Sequence, residues 1–258
     1  MKFQLLPSSF GKDGCASQRQ HLSCFIVNDY VSIDAGSLAM AASCEQKQNI
    51  RDIVLTHAHL DHIAGLPLFI DDLFASLNEP VRIHATAEVI EVLERDIFNW
   101  SVYPRFSELS NENGAVLEYK AFEIGREFFI GDLRFVAVSV NHKVPTVGLI
   151  VSDEKTSIAF SGDTAEMDEF WRKVNGINHL DILLIECAFP DELKDLAQVS
   201  HHLTPDKLKS ELIKFKHENC PIYVINLKPM YREEIVAQIK ELNIKNLQIL
   251  EVGKVYDW

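Results

Sequence analysis

The chain has 258 residues, 47% of them hydrophobic and 24% charged, with 38 Asp and Glu against 25 Lys and Arg for a formal net charge of −13. Nucleic-acid polymers are held mainly by Lys and Arg on phosphate, and no basic stripe interrupts this acidic sequence, which argues against a binder of DNA or RNA. The composition is that of an ordinary globular protein whose length one core can serve, so residues 1–258 are read as a single domain.

The opening Met1-Lys2-Phe3-Gln4-Leu5-Leu6-Pro7 is too short an apolar run for a signal peptide. No later segment nears the roughly 20 apolar residues that cross a bilayer. Strand patterns at 25–27 and 30–33 flank Asn28-Asp29 and read as a hairpin; a third strand follows at 52–55. The stretch 69–77 carries Phe69, Ile70, Leu73, Phe74 and Leu77 at helical spacing, which suits core or a subunit contact. A strand at 81–84 and a helix at 87–97 come next, and Asn111-Glu112-Asn113-Gly114 reads as a surface loop. Strands at 133–140, 147–151, 157–160 and 182–185 are followed by a helix at 205–217, entered through Thr204-Pro205 as N-cap and first-turn proline. A strand at 222–225, a helix at 233–242 and a strand at 247–250 close the chain. Hairpins in the first half and strand–helix alternation in the second imply helices packed over mixed sheets. Cys15, Cys24, Cys44, Cys187 and Cys220 are scattered, with no Cys-x-x-Cys pair, and a reducing cytoplasm is the expected location.

The chemistry begins where Ile53-Val54-Leu55 runs into Thr56-His57-Ala58-His59-Leu60-Asp61-His62. In extended backbone His57 and His59, two apart, face the same side and can bind one metal, while Asp61 and His62 can turn toward a second position. His142 follows the strand at 133–140, and Asp163 follows the strand at 157–160 through Ser161-Gly162. Each alone is more often a structural residue, and it is their order along the chain that makes them ligand candidates.

His57-x-His59-x-Asp61-His62, then His142, then Ser161-Gly162-Asp163-Thr164, resembles the ligand series of the metallo-β-lactamase superfamily of metal-dependent hydrolases, along the length of the chain. Asp34-Ala35-Gly36 resembles the Asp-x-Gly turn that precedes the metal loop in that superfamily. Within it, several segments are similar to the class II cyclic-nucleotide phosphodiesterases. They are the His-x-His-Leu-Asp-His form, Ile97-Phe98-Asn99 with Tyr103-Pro104-x-Phe106, Val140-Asn141-His142-x-Val144-Pro145, Ser200-x-His202-Leu203-Thr204-Pro205 and Leu227-Lys228-Pro229.

The resemblance implies an α/β fold, the αβ/βα four-layer sandwich with two mixed β-sheets. It implies two divalent ions, zinc foremost: His57, His59 and His142 on one, Asp61 and His62 on the other, and Asp163 bridging. The superfamily ends its series with a histidine where this chain has Asn226. An amide oxygen is a weak neutral donor, so the second site is expected to hold its ion less tightly, or to take Mn or Fe. Two cations about 3.5–4 Å apart would present a hydroxide to phosphorus and clamp the oxygens of an in-line displacement. The implied reaction is hydrolysis of a 3′,5′-cyclic nucleotide, cAMP-like, to the 5′-monophosphate. Asp61 counts among the catalytic residues, His202 is the acid for the leaving oxygen, and Glu186 orients it; the spacing disfavours His201. Asn99 and Tyr103, with Phe98 and Phe106, are either core, the commoner fate of such a cluster, or a wall for the base, where stacking contributes about 1–3 kcal/mol. Lys228 is a candidate phosphate contact, although one lysine is usually a solvated face, and Thr56 and Thr164 are expected to steady the ligands. The expected partner is a small cyclic nucleotide, with no nucleic-acid polymer, no membrane, and a homodimer as the commonest assembly. Two alternatives stand beside this: another hydrolase on the same scaffold (thioesterase, lactonase or tRNA 3′-processing type), or a non-catalytic nucleotide sensor suggested by Asn226.

Overall fold

Turn chemistry and strand pairing organise the first half. The computed structural model describes all residues from Met1 to Trp258, and they fall into two compact units, Met1–Glu123 with Val252–Asp257, and Ile124–Glu251 with Trp258. In the first unit β1 (Lys2–Leu5) precedes β2 (Phe25–Val27) and β3 (Val31–Ile33). Asn28 and Asp29 sit at φ 49° and 61°, the left-handed pair of a type I′ hairpin turn that Asn and Asp tolerate. That turn pairs Val27 with Val31 and Phe25 with Ile33.

Two short helices, α1 (Leu38–Ala41) and α2 (Cys44–Asn49), lead to β4 (Asp52–Val54). After it come α3 (Leu60–Ile63), α4 (Leu66–Leu73), β5 (Val81–Ala85) and α5 (Ala87–Val92), the last prolonged by a π turn over Leu93–Ile97. The expected loop at Asn111–Gly114 is a tight hairpin between β6 (Ser110–Asn111) and β7 (Gly114–Ala115), and β8 (Leu117–Ala121) follows. The sheet runs C-terminal strand Val255–Asp257, β1, β2, β3, β4, β5, β8, antiparallel as far as β3 and parallel beyond it. Ile53, Leu55, Ile83 and Ala85 bury against Phe69, Ile70, Leu77 and Leu93, so the apolar stretch at 69–77 is core. A subunit contact through those side chains is thereby corrected: Phe69, Ile70 and Leu77 have no surface to offer.

A charged cluster ties β4 to β5. Asp52 accepts from Arg82 Nε at 2.7 Å and Nη2 at 2.6 Å, and its Oδ1 lies 2.7 Å from His84 Nε2. Burial works to raise the Asp52 carboxyl, but the bonds from Arg82 and His84 overcome it and hold the group down to about 2. Its contribution to stability is therefore complete above the ordinary carboxylate range and lost as pH falls through about 2. Asp52→Ala, which strips the acceptor from two donors, is expected to cost about 1–3 kcal/mol at neutral pH in urea unfolding, with the difference closing in acid.

The second unit contains β9 (Glu127–Ile130), β10 (Leu133–Ser139), β11 (Val147–Ser152), β12 (Ser157–Phe160), α6 (Asp168–Val174), β13 (Ile182–Glu186), α7 (Lys194–Ser200), α8 (Pro205–Leu212), β14 (Ile222–Ile225), α9 (Arg232–Glu241) and β15 (Leu247–Ile249). Their sheet order is β15, β14, β13, β12, β11, β10, β9. Strands β12 to β15 are mutually parallel, and β10, β11 and β12 alternate in direction. So β10, β12, β13 and β14 all point the same way, and the residues after each collect along one edge of the sheet, where α/β folds place their ligand sites. Leu183, Ile185 and Val224 pack on Phe170, Trp171, Leu208 and Ile235 to make this unit's core.

Candidate metal and acid–base site

In the first unit the site is built at the ends of β3 and β4. Asp34, buried at φ 58°, accepts from the Thr56 amide at 2.9 Å and from the Thr56 hydroxyl at 3.0 Å, and lies 2.6 Å from His62 Nδ1. The single Thr56 hydroxyl proton goes to Asp34, so Thr56 Oγ1 accepts from His57 Nδ1 at 3.0 Å. Both imidazoles thus carry hydrogen on Nδ1 and present the Nε2 lone pair, the outer-shell arrangement that readies histidine for a metal. The rings cluster, with His57 4.6 Å from His59 and 4.1 Å from His62 between centroids. Asp61 is half-buried in the first turn of α3.

The Asp34-Ala35-Gly36 turn also grips the loop by its backbone. Ala35 N donates to His62 O at 2.7 Å, while Ser23 N donates to Asp61 O and Gly36 N to Ser23 O, each at 2.8 Å. A Cβ on Gly36 would stand 2.0 Å from Asp61 O, so only glycine allows this approach.

In the second unit the residues after β10, β12, β13 and β14 converge as the strand directions require. Donor atoms of His142, Asp163 and His202 all lie within 4.8 Å of one another. His142 Nδ1 donates to the carbonyl of His201 at 3.1 Å, again leaving Nε2 to face outward as a lone pair. Glu186, fully buried, lies 2.7 Å from His202 Nδ1 and accepts from the amides of Thr164 at 2.9 Å and Leu203 at 3.2 Å. Burial raises the Glu186 carboxyl against the pull of His202. Burial alone would lower His202, but the charge and hydrogen bond of Glu186, with Asp163 beyond, outweigh it and push the imidazole up, Lys228 opposing. Asn226, at φ 56°, donates from Nδ2 to Asp163 Oδ1 at 2.7 Å, an orienting contact where the resemblance calls for a ligand.

Neutral imidazoles whose Nδ1 is already engaged, together with the carboxylates of Asp61 and Asp163, are a donor set that zinc, manganese and iron all accept, so the residues fit the divalent ions implied by the fold. The expected base wall fares differently. Phe98 is 0% and Phe106 1% exposed, packed edge to face at 5.7 Å, and both are core, the commoner of the two readings, which removes base stacking for this pair. Asn99 accepts from the amides of Ser101 at 3.0 Å and Val102 at 2.9 Å and donates to Arg95 O at 2.9 Å, as a turn cap does. Tyr103 donates to Asp71 at 3.2 Å. Lys228 is anchored by its own amide to Ala188 O at 3.2 Å. The sequence signal for Asp34 as ligand-orienting carboxylate was present in the Asp-Ala-Gly triplet, but its bonds to Thr56 and His62 emerge only from the fold.

A beta-lactamase superfamily domain model matches residues 31–215. A probable 3′,5′-cyclic-nucleotide phosphodiesterase of Yersinia pestis is 26% identical, over 93% of this chain and 82% of its own length. Among solved structures, unliganded yeast PDE1 superposes with a TM-score of 0.75 at 17% identity, covering 97% of each chain. The metallo-β-lactamase fold protein YhfI of Bacillus subtilis superposes with a TM-score of 0.72 at 14% identity over 99% of each. With its ligand loop, strand-edge donors and this match over most of its length, the chain belongs to the β-lactamase superfamily, as a metallo-β-lactamase-fold hydrolase.

Proposed function

We propose that the protein is a metal-dependent phosphodiesterase opening 3′,5′-cyclic nucleotides to 5′-monophosphates. The observation that carries this reading is the buried Glu186–His202 pair, 2.7 Å apart, set beside His142 and Asp163. An alkoxide leaving group needs a proton, and a histidine held by a buried carboxylate next to metal donors is placed to give one. The relative from Yersinia pestis, named as a probable phosphodiesterase of this kind, supports the same substrate class.

In this reading His57, His59 and His142 would hold one ion, zinc foremost, Asp61 and His62 would hold a second, and Asp163 would serve both. Bound there, the cations supply an activated water and offset the charge of the phosphate. Asp34 and Thr56 keep the first-unit imidazoles in the required tautomer. As water, having given one proton to solvent, adds to phosphorus and the bond to O3′ breaks, His202 passes its Nε2 proton to O3′ and regains one from solvent, while Glu186 keeps Nδ1 and fixes the ring plane. Lys228 contacts the phosphate. The net charge of −13 disfavours a long polyanion and is compatible with a small ester.

The purified protein supplied with Zn or Mn is expected to hydrolyse a cyclic nucleotide and bis(p-nitrophenyl) phosphate, and to lose both activities to a chelator. No turnover of either under any of these metals removes the proposal. Asn226 contacts Asp163 through its nitrogen, so the second site has one donor fewer than the superfamily pattern. Dialysed wild type is then expected to retain about one ion per chain, and Asn226→His to bind the second about tenfold more tightly or better in metal analysis.

A further inference from the structure

The residue that the motif spacing passed over, His201, is the point on which two site histidines turn. It caps α7 in the left-handed conformation, at φ 57° and ψ 59°, a position where glycine is usual and where a side chain is strained. Three contacts hold it there. Its amide donates to Gln198 O at 3.4 Å, and its carbonyl accepts from His142 Nδ1 at 3.1 Å. Its own Nδ1 donates to Asn141 Oδ1 at 3.0 Å. Asn141, in turn, is fixed by its amide to Thr164 Oγ1 at 3.1 Å and by Nδ2 to Glu166 O at 3.0 Å. A helix cap alone would need neither the ring nor Asn141.

We infer that His201 is a positioning residue: its left-handed backbone, locked by the ring on Asn141, aims a carbonyl at Nδ1 of His142 and so keeps Nε2 of that histidine ready for the metal. The same turn delivers the chain into His202, whose amide donates to Ala197 O at 2.9 Å. One backbone conformation thereby places a metal ligand and the proposed acid together. The inference rests on the proposed reading only in taking His142 as a ligand.

It separates glycine from alanine at one position. His201→Gly loses the ring but keeps an unstrained left-handed backbone, so the carbonyl stays on His142 and zinc affinity is expected to stay close to wild type. His201→Ala loses the ring and regains the left-handed penalty, so the turn relaxes and zinc affinity is expected to fall about 10–100-fold, the range for outer-shell partners of a metal histidine. Asn141→Ala removes the lock together with the Nδ2 bond to Glu166 O and is expected to fall in the same direction, whereas Asn141→Asp keeps an acceptor for the His201 ring, loses only the Glu166 bond and is expected to stay near wild type. Zinc affinity is read on the full chain by competition with a chromophoric chelator, with thermal melts confirming that each variant is folded. Should His201→Ala not fold, Asn141→Ala against Asn141→Asp decides, since the two differ in the acceptor offered to the His201 ring. Equal losses for glycine and alanine overturn the backbone mechanism, and unchanged affinity in alanine and Asn141→Ala overturns the positioning role altogether. The assay needs no substrate, so a chain that binds zinc in this pattern yet hydrolyses no cyclic nucleotide leaves the inference standing and removes only the proposed substrate.

Discussion

Replacing Asp163 with alanine is expected to empty the site of metal and to reduce hydrolysis well beyond the roughly 10–100-fold that loss of an outer-shell partner costs. Asp163 stands at the end of β12 after Ser161-Gly162, with Gly162 at φ 61° turning the chain so that the carboxylate joins His142 and His202. In the proposed ligand set it is the one group that both ions share, so neither site survives its removal intact. The substitution also leaves the Asn226 amide without its acceptor. Metal content after dialysis and turnover of bis(p-nitrophenyl) phosphate should fall together. A variant that keeps its full metal content would show that Asp163 is not the shared ligand.

Replacing His202 with alanine should distinguish substrates by their leaving group. Turnover of a cyclic nucleotide, whose departing alkoxide needs a proton, is expected to drop by about 10²–10⁴-fold. Bis(p-nitrophenyl) phosphate releases a phenolate stable enough to leave unprotonated, and its turnover should change far less. Glu186→Gln keeps the ring present but weakens its anchor, and is expected to lie between wild type and alanine on the cyclic substrate. Equal losses on both substrates would assign His202 to metal binding or folding instead of proton transfer.

The pattern of residues made much of this visible. Alternation and β-branched runs placed β2, β4, β5, β10 to β14 and β15 within a residue or two, and Thr204-Pro205 marked the start of α8 at Pro205. That helix ends at Leu212 and not at His217, because the following residues tighten, Lys214 N bonding to Glu211 O and Phe215 N to Leu212 O. Less visible were β1 and the strand Val255–Asp257, which pair with each other from opposite ends of the chain and have no local partner to reveal them. Helices as short as α1 and α3 hold too few residues for a period to show. At the site, donor types and spacing made His57, His59, Asp61 and His62 ligand candidates, while His142, Asp163 and His202 became candidates through their order along the chain and the family resemblance. The hydrogen bonds that orient them, to Asp34, Thr56 and the His201 carbonyl, depend on left-handed backbone at Asp34, where the Asp-x-Gly triplet signals a turn, and at His201, where no residue pattern does. Phe98 and Phe106 left two readings open because an aromatic cluster looks the same whether it faces a ligand or fills a core, and the structure gives the core.

The turn at Asp34-Ala35-Gly36 bears on how this active loop could be moved by protein engineering. Residues 56–62 owe their shape to bonds from Ser23, Asp34 and Ala35, and to a backbone approach that tolerates no side chain at Gly36. Cut out as a seven-residue cassette, the loop would leave its template behind. A graft onto another scaffold must therefore carry two distant pieces of chain in fixed register, which makes the hairpin strand β3 as much a part of the transplant as the histidines themselves.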